Sequence, residues 1–142
     1  MTEINLKDFE TKIVIRQVNL NDFNQIVSLQ ERCFPGMEPW SREQIQRQLS
    51  MFPEGQVCVE YEGKVVASSS SLVLDFDLYT AWHSWKEIAD GGFIRNHTLE
   101  GNTLYGIEIM VDPEFRGLRL ARRLYDARKN LARRYNLMCI II

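Results

Sequence analysis

Long apolar runs are missing from this chain of 142 residues. None approaches the ~18 consecutive apolar residues that suggest a membrane-spanning helix. The opening stretch, MTEINLKDFE, has neither the basic nor the apolar segment of a secretory signal. Cysteine is scarce: Cys33, Cys58 and Cys139 are widely separated and odd in number. That excludes a disulfide framework and the paired spacing of a zinc site, so no metal is expected, and a reducing, cytoplasmic setting fits best. The three cysteines read as small buried apolar residues. Repeats and low-complexity segments are absent. Net charge is only −2, so bulk charge makes no case for nucleic acid or a membrane.

What is present suits a single domain able to bury roughly two-thirds of its unfolded surface. The charge is unevenly placed. From Arg116 to Arg134 there are eight basic residues and one acid, Asp126.

Hydrophobic patterning orders the chain. TKIVIRQV, Thr11 to Val18, is rich in β-branched residues and reads as a strand. Asn21 can cap a following helix with Asp22 in its first turn, and Phe23, Ile26, Val27, Cys33 and Phe34 recur at helical spacing. That helix should stop at PGMEP, Pro35 to Pro39. A second helix has the strongest local signal: Ser41 and Gln44 form a capping box, Trp40 and Ile45 are placed as a hydrophobic staple, and Ile45, Leu49 and Phe52 form its buried stripe. QVCVEYEGKVVASSSSLVLDF reads as two strands about a Glu62-Gly63 turn. The small side chains of Ser68 to Ser71 leave room for close approach, or simply occupy an ordinary strand.

The segment Asp75 to Thr103 is harder to read. TAWHSWKEIADGG predicts a short helix from Thr80 to Gly91, with loop around it. TLYGIEIMV, Thr103 to Val111, is a strand with Gly106 as a candidate bulge or point of close backbone approach, ended by Asp112 and Pro113. Leu120, Leu124, Ala127, Leu131 and Tyr135 then mark a helix of about five turns, and LMCIII, Leu137 to Ile142, an apolar strand. The last three elements predict two parallel strands joined by a crossover helix.

DPEFRGLRLARR, Asp112 to Arg123, joins the fourth strand to that helix. The first amides of a helix have no intrahelical acceptor, and the helix dipole adds positive charge. An anion, above all a phosphate, fits there. The arginines strengthen the case, although any βα turn has free amides, and a basic surface helix remains open as an alternative.

The layout resembles the GNAT superfamily of N-acetyltransferases, whose cofactor loop follows the fourth strand with the form Gln/Arg-x-x-Gly-x-Gly/Ala. Here it reads Arg116-Gly117-Leu118-Arg119-Leu120-Ala121, preceded by IMVDPEFRG, and EPWS (Glu38 to Ser41) resembles the loop before the family's second helix. The resemblance implies an α/β (α+β) fold with a mixed sheet in the order β-α-α-β-β-β-α-β, ending before the family's last helix and two strands. It implies acetyl-CoA as cofactor, its pyrophosphate held by the backbone of Gly117 to Arg122 and its pantetheine arm along Ile109, Met110 and Val111. Two departures stand out. Arg119 occupies the family's central glycine position, and the helix that often carries a general-acid tyrosine is not in this sequence. An apolar end inside a strand suggests a longer protein, and the long insertion is similar to GNAT-type domains fused ahead of a carbon–nitrogen hydrolase.

Acetyl transfer to an amine needs a base for the amine and donors for the developing oxyanion. By resemblance a backbone N–H near Val111 supplies the latter. Glu108, the one acid within the fourth strand, is the candidate base. Alternation places it opposite Ile107, Ile109 and Val111 unless a bulge intervenes; the alternative is a charged residue on a solvated or helix-covered face. His83 and His97 titrate near neutrality but read more simply as exposed loop residues. Trp82 and Trp85 could line an acceptor pocket or anchor the loop.

Three functions therefore compete: an acetyl-CoA-dependent N-acetyltransferase acting on a small-molecule or peptide amine; a CoA-binding regulatory module attached to a hydrolase; and, weakest, nucleic-acid binding through the arginine helix. A homodimer and a fused C-terminal hydrolase domain are the protein partners left open, with no nucleic acid or membrane partner expected.

Overall fold

A computed structural model describes residues 4–79 and 84–141. Thr80, Trp82, His83 and Ile142, named above, lie outside them. The elements run α1 (Leu6–Lys12), β1 (Ile13–Gln17), α2 (Phe23–Cys33), α3 (Arg42–Met51), β2 (Val57–Tyr61), β3 (Lys64–Leu74), a four-residue α4 (Trp85–Ile88), β4 (Thr103–Val111), α5 (Leu120–Arg134) and β5 (Cys139–Ile141). The strands form one mixed sheet in the order β1-β2-β3-β4-β5, antiparallel except for the parallel β4–β5 pair. The expected α/β mixed sheet and its βαβ crossover are both present. No helix among the described residues is long and apolar enough to cross a membrane.

Two layers of helix cover the sheet. On one face Phe9 of α1 and Leu120 and Leu124 of α5 pack on Val59 and Ala67, with Ile109 and Val111 against them. On the other, Ile26 and Leu29 of α2 and Ile45 of α3 pack with Trp40 on Cys58, Val65 and Met110. A third cluster, centred on Leu72, Leu74, Leu104 and Leu131, closes the end where β4 and β5 pair.

Local chemistry accounts for several boundaries. Ser41 Oγ accepts the Gln44 amide at 3.2 Å and Gln44 Oε1 accepts the Ser41 amide at 2.7 Å, completing the expected capping box. Glu62 and Gly63 both have positive φ, 50° and 80°, the twist that matches a tight hairpin. Two sequence expectations need correcting. The first strand begins at Ile13, because Asn5 caps a short helix that takes in Thr11 and Lys12. The cap before α2 is Asn19, not Asn21: Asn19 and Asp22 form a capping box around a 3-10 turn at Leu20–Asp22, and α2 starts at Phe23. Asp22 is held there by a two-pronged pair with Arg16 at 2.8 and 2.9 Å.

Candidate functional site

Strand β4 organises the site. Its register against β3 pairs Ser70 with Glu108 and Ser71 with Gly106, leaving Ile107 as an extra residue. This is the bulge expected at Gly106, and a bulge re-aims side chains. Glu108 and Met110 point to the α2/α3 face, while Ile109 and Val111 point to the α5 face, as alternation requires. Ile107 is the exception: the bulge turns it to the α2/α3 cluster, on the same side as Glu108. Gly106 faces α5, and a Cβ there would overlap Arg128 Nη1.

The β4–β5 ladder spans Thr103–Tyr105 and Cys139–Ile141. From Gly106 onward the outer edge of β4 has no strand partner among the described residues. The Asp112 amide bonds back to the Val66 carbonyl on β3 at 2.9 Å. Alternation therefore turns the backbone groups of Val111 and Ile109 away from β3, toward the open edge, and turns those of Met110 toward Ser68. Of the three residues expected to hold a pantetheine arm, Ile109 and Val111 turn their backbone groups to the open edge of β4. Met110 instead contributes a side chain buried in the α2/α3 core. The Val111 carbonyl also accepts the Cys33 thiol at 3.2 Å. Burial pushes that thiol up, away from the reactive thiolate. Cys58 is buried as expected, but Cys139 is exposed, because β5 is the edge strand.

Glu108 is the acid in this cleft. Trp40 Nε1 donates to Oε1 at 3.0 Å, and Gln30 Nε2 lies 3.4 Å from both oxygens. Gln30 Oε1 in turn accepts the Trp40 amide at 2.7 Å, locking both donors in place. No ion pair reaches the carboxylate among the described residues. Burial therefore holds the carboxyl above its ordinary value of 4.5, and the Trp40 and Gln30 donors offset this only in part. Opposite it on β3, the buried Ser70 Oγ has no partner among the described residues, and a cavity of about 20 Å³ adjoins both residues. That is room for a water, with polar groups to hold it.

Past β4 the chain enters the arginine turn. The Phe115 amide bonds to the Asp112 carbonyl at 2.8 Å, and helical bonding begins with Arg123 to Arg119 at 3.1 Å. The 3-10 turn at Pro113–Phe115 and the turn after it engage the amides of Arg116 and Leu118, while those of Gly117, Arg119, Leu120, Ala121 and Arg122 have no backbone acceptor among the described residues. Gly117 has φ 83° with open space beside it. Arg119, which caps α5, has φ 64° and ψ 24°. It adopts the left-handed backbone that glycine takes freely, with its side chain exposed to solvent.

Glu108 opens onto a cleft bordered by α5, the helix that begins at the arginine turn. A cavity of about 420 Å³ is lined by Phe34, Trp40, Glu108, Ile109, Tyr125 and Arg128, among others. Reasoning from sequence missed Gln30, Trp40 and Arg128 as site residues. Arg128 did carry a signal: it stands between Leu124 and Leu131 on the apolar stripe of α5. Burial lowers its guanidinium to about 10. The other arginines do not form a continuous basic face, since Arg128 is buried and Arg123 pairs with Glu10 at 3.6 Å.

His97 lies outside this cleft. Its Nδ1 accepts the Val73 amide at 2.9 Å and its ring stacks on Phe52, so it has a structural role. The segment expected as one helix from Thr80 to Gly91 holds the short α4 and a 3-10 turn at Asp90–Gly92. Gln44 and Gln48 bind the latter to α3 through the carbonyls of Gly91 and Gly92.

Comparison with known proteins agrees with this architecture. The chain is 50% identical over 140 residues to a protein named probable hydrolase YhcX from Bacillus subtilis, spanning 99% of this chain and 27% of that protein. It is 35% identical over 118 residues to the uncharacterized N-acetyltransferase YkwB of the same organism, spanning 80% of this chain and 52% of that one. The chain thus spans about a quarter and about half of these relatives. Among solved structures, the GphF GNAT-like decarboxylase in complex with isobutyryl-CoA superposes with a TM-score of 0.72 at 23% identity, over 84% of this chain and 59% of that one. The family model described as the acetyltransferase (GNAT) family matches residues 23–142. With most of its length matched by that model, the chain belongs to the GNAT acetyltransferase family.

Proposed function

We propose that this domain binds acetyl-CoA and transfers its acetyl group to a primary amine, with Glu108 as general base. The observation that carries the reading is the set of free backbone amides between Gly117 and Arg122, at the start of the helix whose Tyr125 and Arg128 line a cleft containing a carboxylate with no cationic partner among the described residues. The fit to CoA is good on this chain's own terms. The free amides between Gly117 and Arg122 and a helix N-terminus suit a pyrophosphate, and the edge of β4 offers the backbone of Ile109 and Val111 to an extended amide-bearing arm. Relatives support it: YkwB is named an N-acetyltransferase, and GphF was solved with an acyl-CoA.

The CoA thioester supplies an activated acyl group. Arg116, Gly117, Leu118, Arg119, Leu120, Ala121 and Arg122 orient it, largely through backbone, which leaves their side chains free to vary. Glu108, kept weakly acidic by burial, accepts the proton of the incoming ammonium, directly or through a water held near Ser70. A backbone N–H on the open edge of β4, at Ile109 or Val111, donates to the developing oxyanion. Calorimetry of the full-length protein with acetyl-CoA, followed by acetyl-CoA consumption over a panel of amines, tests the reading. Micromolar binding with turnover is expected; absence of binding overturns it.

A second reading is a CoA-binding module that regulates an attached hydrolase. The 27% coverage of a relative named a hydrolase favours it. Binding of acetyl-CoA without turnover of any amine would select this reading.

A further inference from the structure

Arg128 is built unlike a surface arginine. It lies two turns into α5, only 2% exposed. Nη2 donates to the carbonyls of Ser70 at 3.1 Å and Glu108 at 2.9 Å, tying β3 to β4 across the bulge. That bracing uses one nitrogen. Nε and Nη1 are buried, and among the described residues they meet no acceptor and no carboxylate pairs with the guanidinium. A buried guanidinium without a counter-charge is costly to keep. The missing side chain at Gly106 is what makes room for Nη1.

Two clefts converge on Arg128 and its neighbour Tyr125. One, of about 420 Å³, contains Glu108; the other, of about 560 Å³, is bordered by Arg122, Asp126, Lys129 and Ile140. The position along the site matters as much as the charge. From Leu120 to Arg128 the helix advances about 12 Å, away from the amides of the arginine turn and level with Gly106. The guanidinium therefore stands at the reacting end of the cleft, not at its phosphate end. Glu108 is close in sequence to the bulge, but its carboxylate lies on the other face of β4, where it cannot neutralise Arg128.

We propose that Arg128 recognises a carboxylate at this end of the cleft, so that one of the two reactants carries an anionic group beyond the reacting atoms. A planar guanidinium with free donors suits a carboxylate, and a charge-assisted hydrogen bond in a water-poor site discriminates strongly against a neutral isostere. The carboxylate belongs either to the acyl group or to the amine acceptor; the chemistry of recognition is the same.

The inference rests on the acyl-transfer reading, and its test separates the two. In the full-length protein, succinyl-CoA is compared with butyryl-CoA, and malonyl-CoA with propionyl-CoA, by calorimetry. In a second arm, α-amino acids are compared with their carboxamides as acceptors of acetyl from acetyl-CoA. The expected result is a preference of at least about tenfold for the carboxylate member in one arm, collapsing toward equality in Arg128→Gln. The responding arm identifies which reactant carries the group. No preference in either arm, or a preference that survives Arg128→Gln, overturns the proposal. Should that variant not fold, the wild-type comparison decides alone: a preference supports the proposal and its absence overturns it. Failure of every CoA thioester to bind defeats the acyl-transfer reading instead.

Discussion

Replacing Arg119 with glycine and, separately, with alanine isolates what the left-handed backbone costs and what the guanidinium contributes. With φ 64° and ψ 24°, residue 119 sits where an L-residue is disfavoured by roughly 1–2 kcal/mol. Glycine removes that penalty but adds about 0.5–1 kcal/mol of unfolded-chain entropy. Arg119→Gly is therefore expected to leave stability unchanged or raise it by up to about 1 kcal/mol, a few degrees in Tm for a domain of this size. Arg119→Ala keeps the strained backbone without the long side chain and should be less stable than the glycine variant by about 1 kcal/mol. Binding follows a different logic. The turn already has the shape a glycine would give it, so glycine cannot open the cradle further. Both variants lose the exposed positive charge beside the proposed phosphate site and should bind CoA about two- to fivefold more weakly, a gap that shrinks as salt is raised. Urea titration and calorimetry at two salt concentrations read both effects. CoA binding to Arg119→Gly more tightly than to wild type would refute the reasoning, as would an alanine variant as stable as the glycine one.

Three further variants test the same geometry. Glu108→Gln should cut acetyl transfer by about 10²–10⁴-fold, while wild-type turnover falls as pH drops through the raised Glu108 value. The same raised carboxyl gives stability that is present below pH 4.5 and lost as pH rises through the folded value, so Glu108→Gln should have the higher urea midpoint at neutral pH, with the gap closing in acid. His97, held below 6.5 by burial, contributes stability above that pH that is lost as pH falls through its folded value; His97→Gln, which can still accept the Val73 amide, should flatten that part of the pH–stability curve. Gly106→Ala should destabilise the protein by about 1–3 kcal/mol in urea titration, because its methyl group must displace Arg128 Nη1 and the bonds at the bulge.

What could be read from the sequence was mostly what neighbouring residues decide among themselves. The Ser41 capping box, the Glu62-Gly63 hairpin, the strand Thr103–Val111 and the stripe of α5 depend on spacing over a few residues, and each is where it was expected. Helix α1 escaped notice because LKDFETK is mostly charged and merges with the β-branched run after it. Its stability comes from Phe9, which packs on Tyr61 of β2 and on Phe115 of the 3-10 turn after β4. Asn19 and Asn21 are both competent caps, and the Arg16–Asp22 pair decides between them. Glu108 could be singled out as the acid of β4. Its donors could not, since Gln30 and Trp40 lie 78 and 68 residues away in the chain. Arginine itself does not announce the left-handed backbone at Arg119; the glycine that the resembled motif has at that position is the one signal for it.

The bulge at Ile107 explains how two uncompensated charges coexist in one small site. A carboxylate and a guanidinium this close in the fold would ordinarily pair, and pairing would remove both from any role with a ligand. Strand alternation alone would give Gly106 and Glu108 the same face. The extra residue breaks that parity: Glu108 goes to the α2/α3 side, under Trp40 and Gln30, and Gly106 to the α5 side, where its lack of a side chain admits Arg128. Arg128 touches Glu108 only through the backbone carbonyl, bracing the bulge that keeps the two charges apart. The costs of a buried acid and a buried base are then borne separately, and both residues line one cleft. If both lie at the reacting end of an acyl-transfer site, one moves a proton and the other selects what may be transferred, or to whom. The phosphate end needs no such arrangement, because backbone amides serve it whatever side chains they carry.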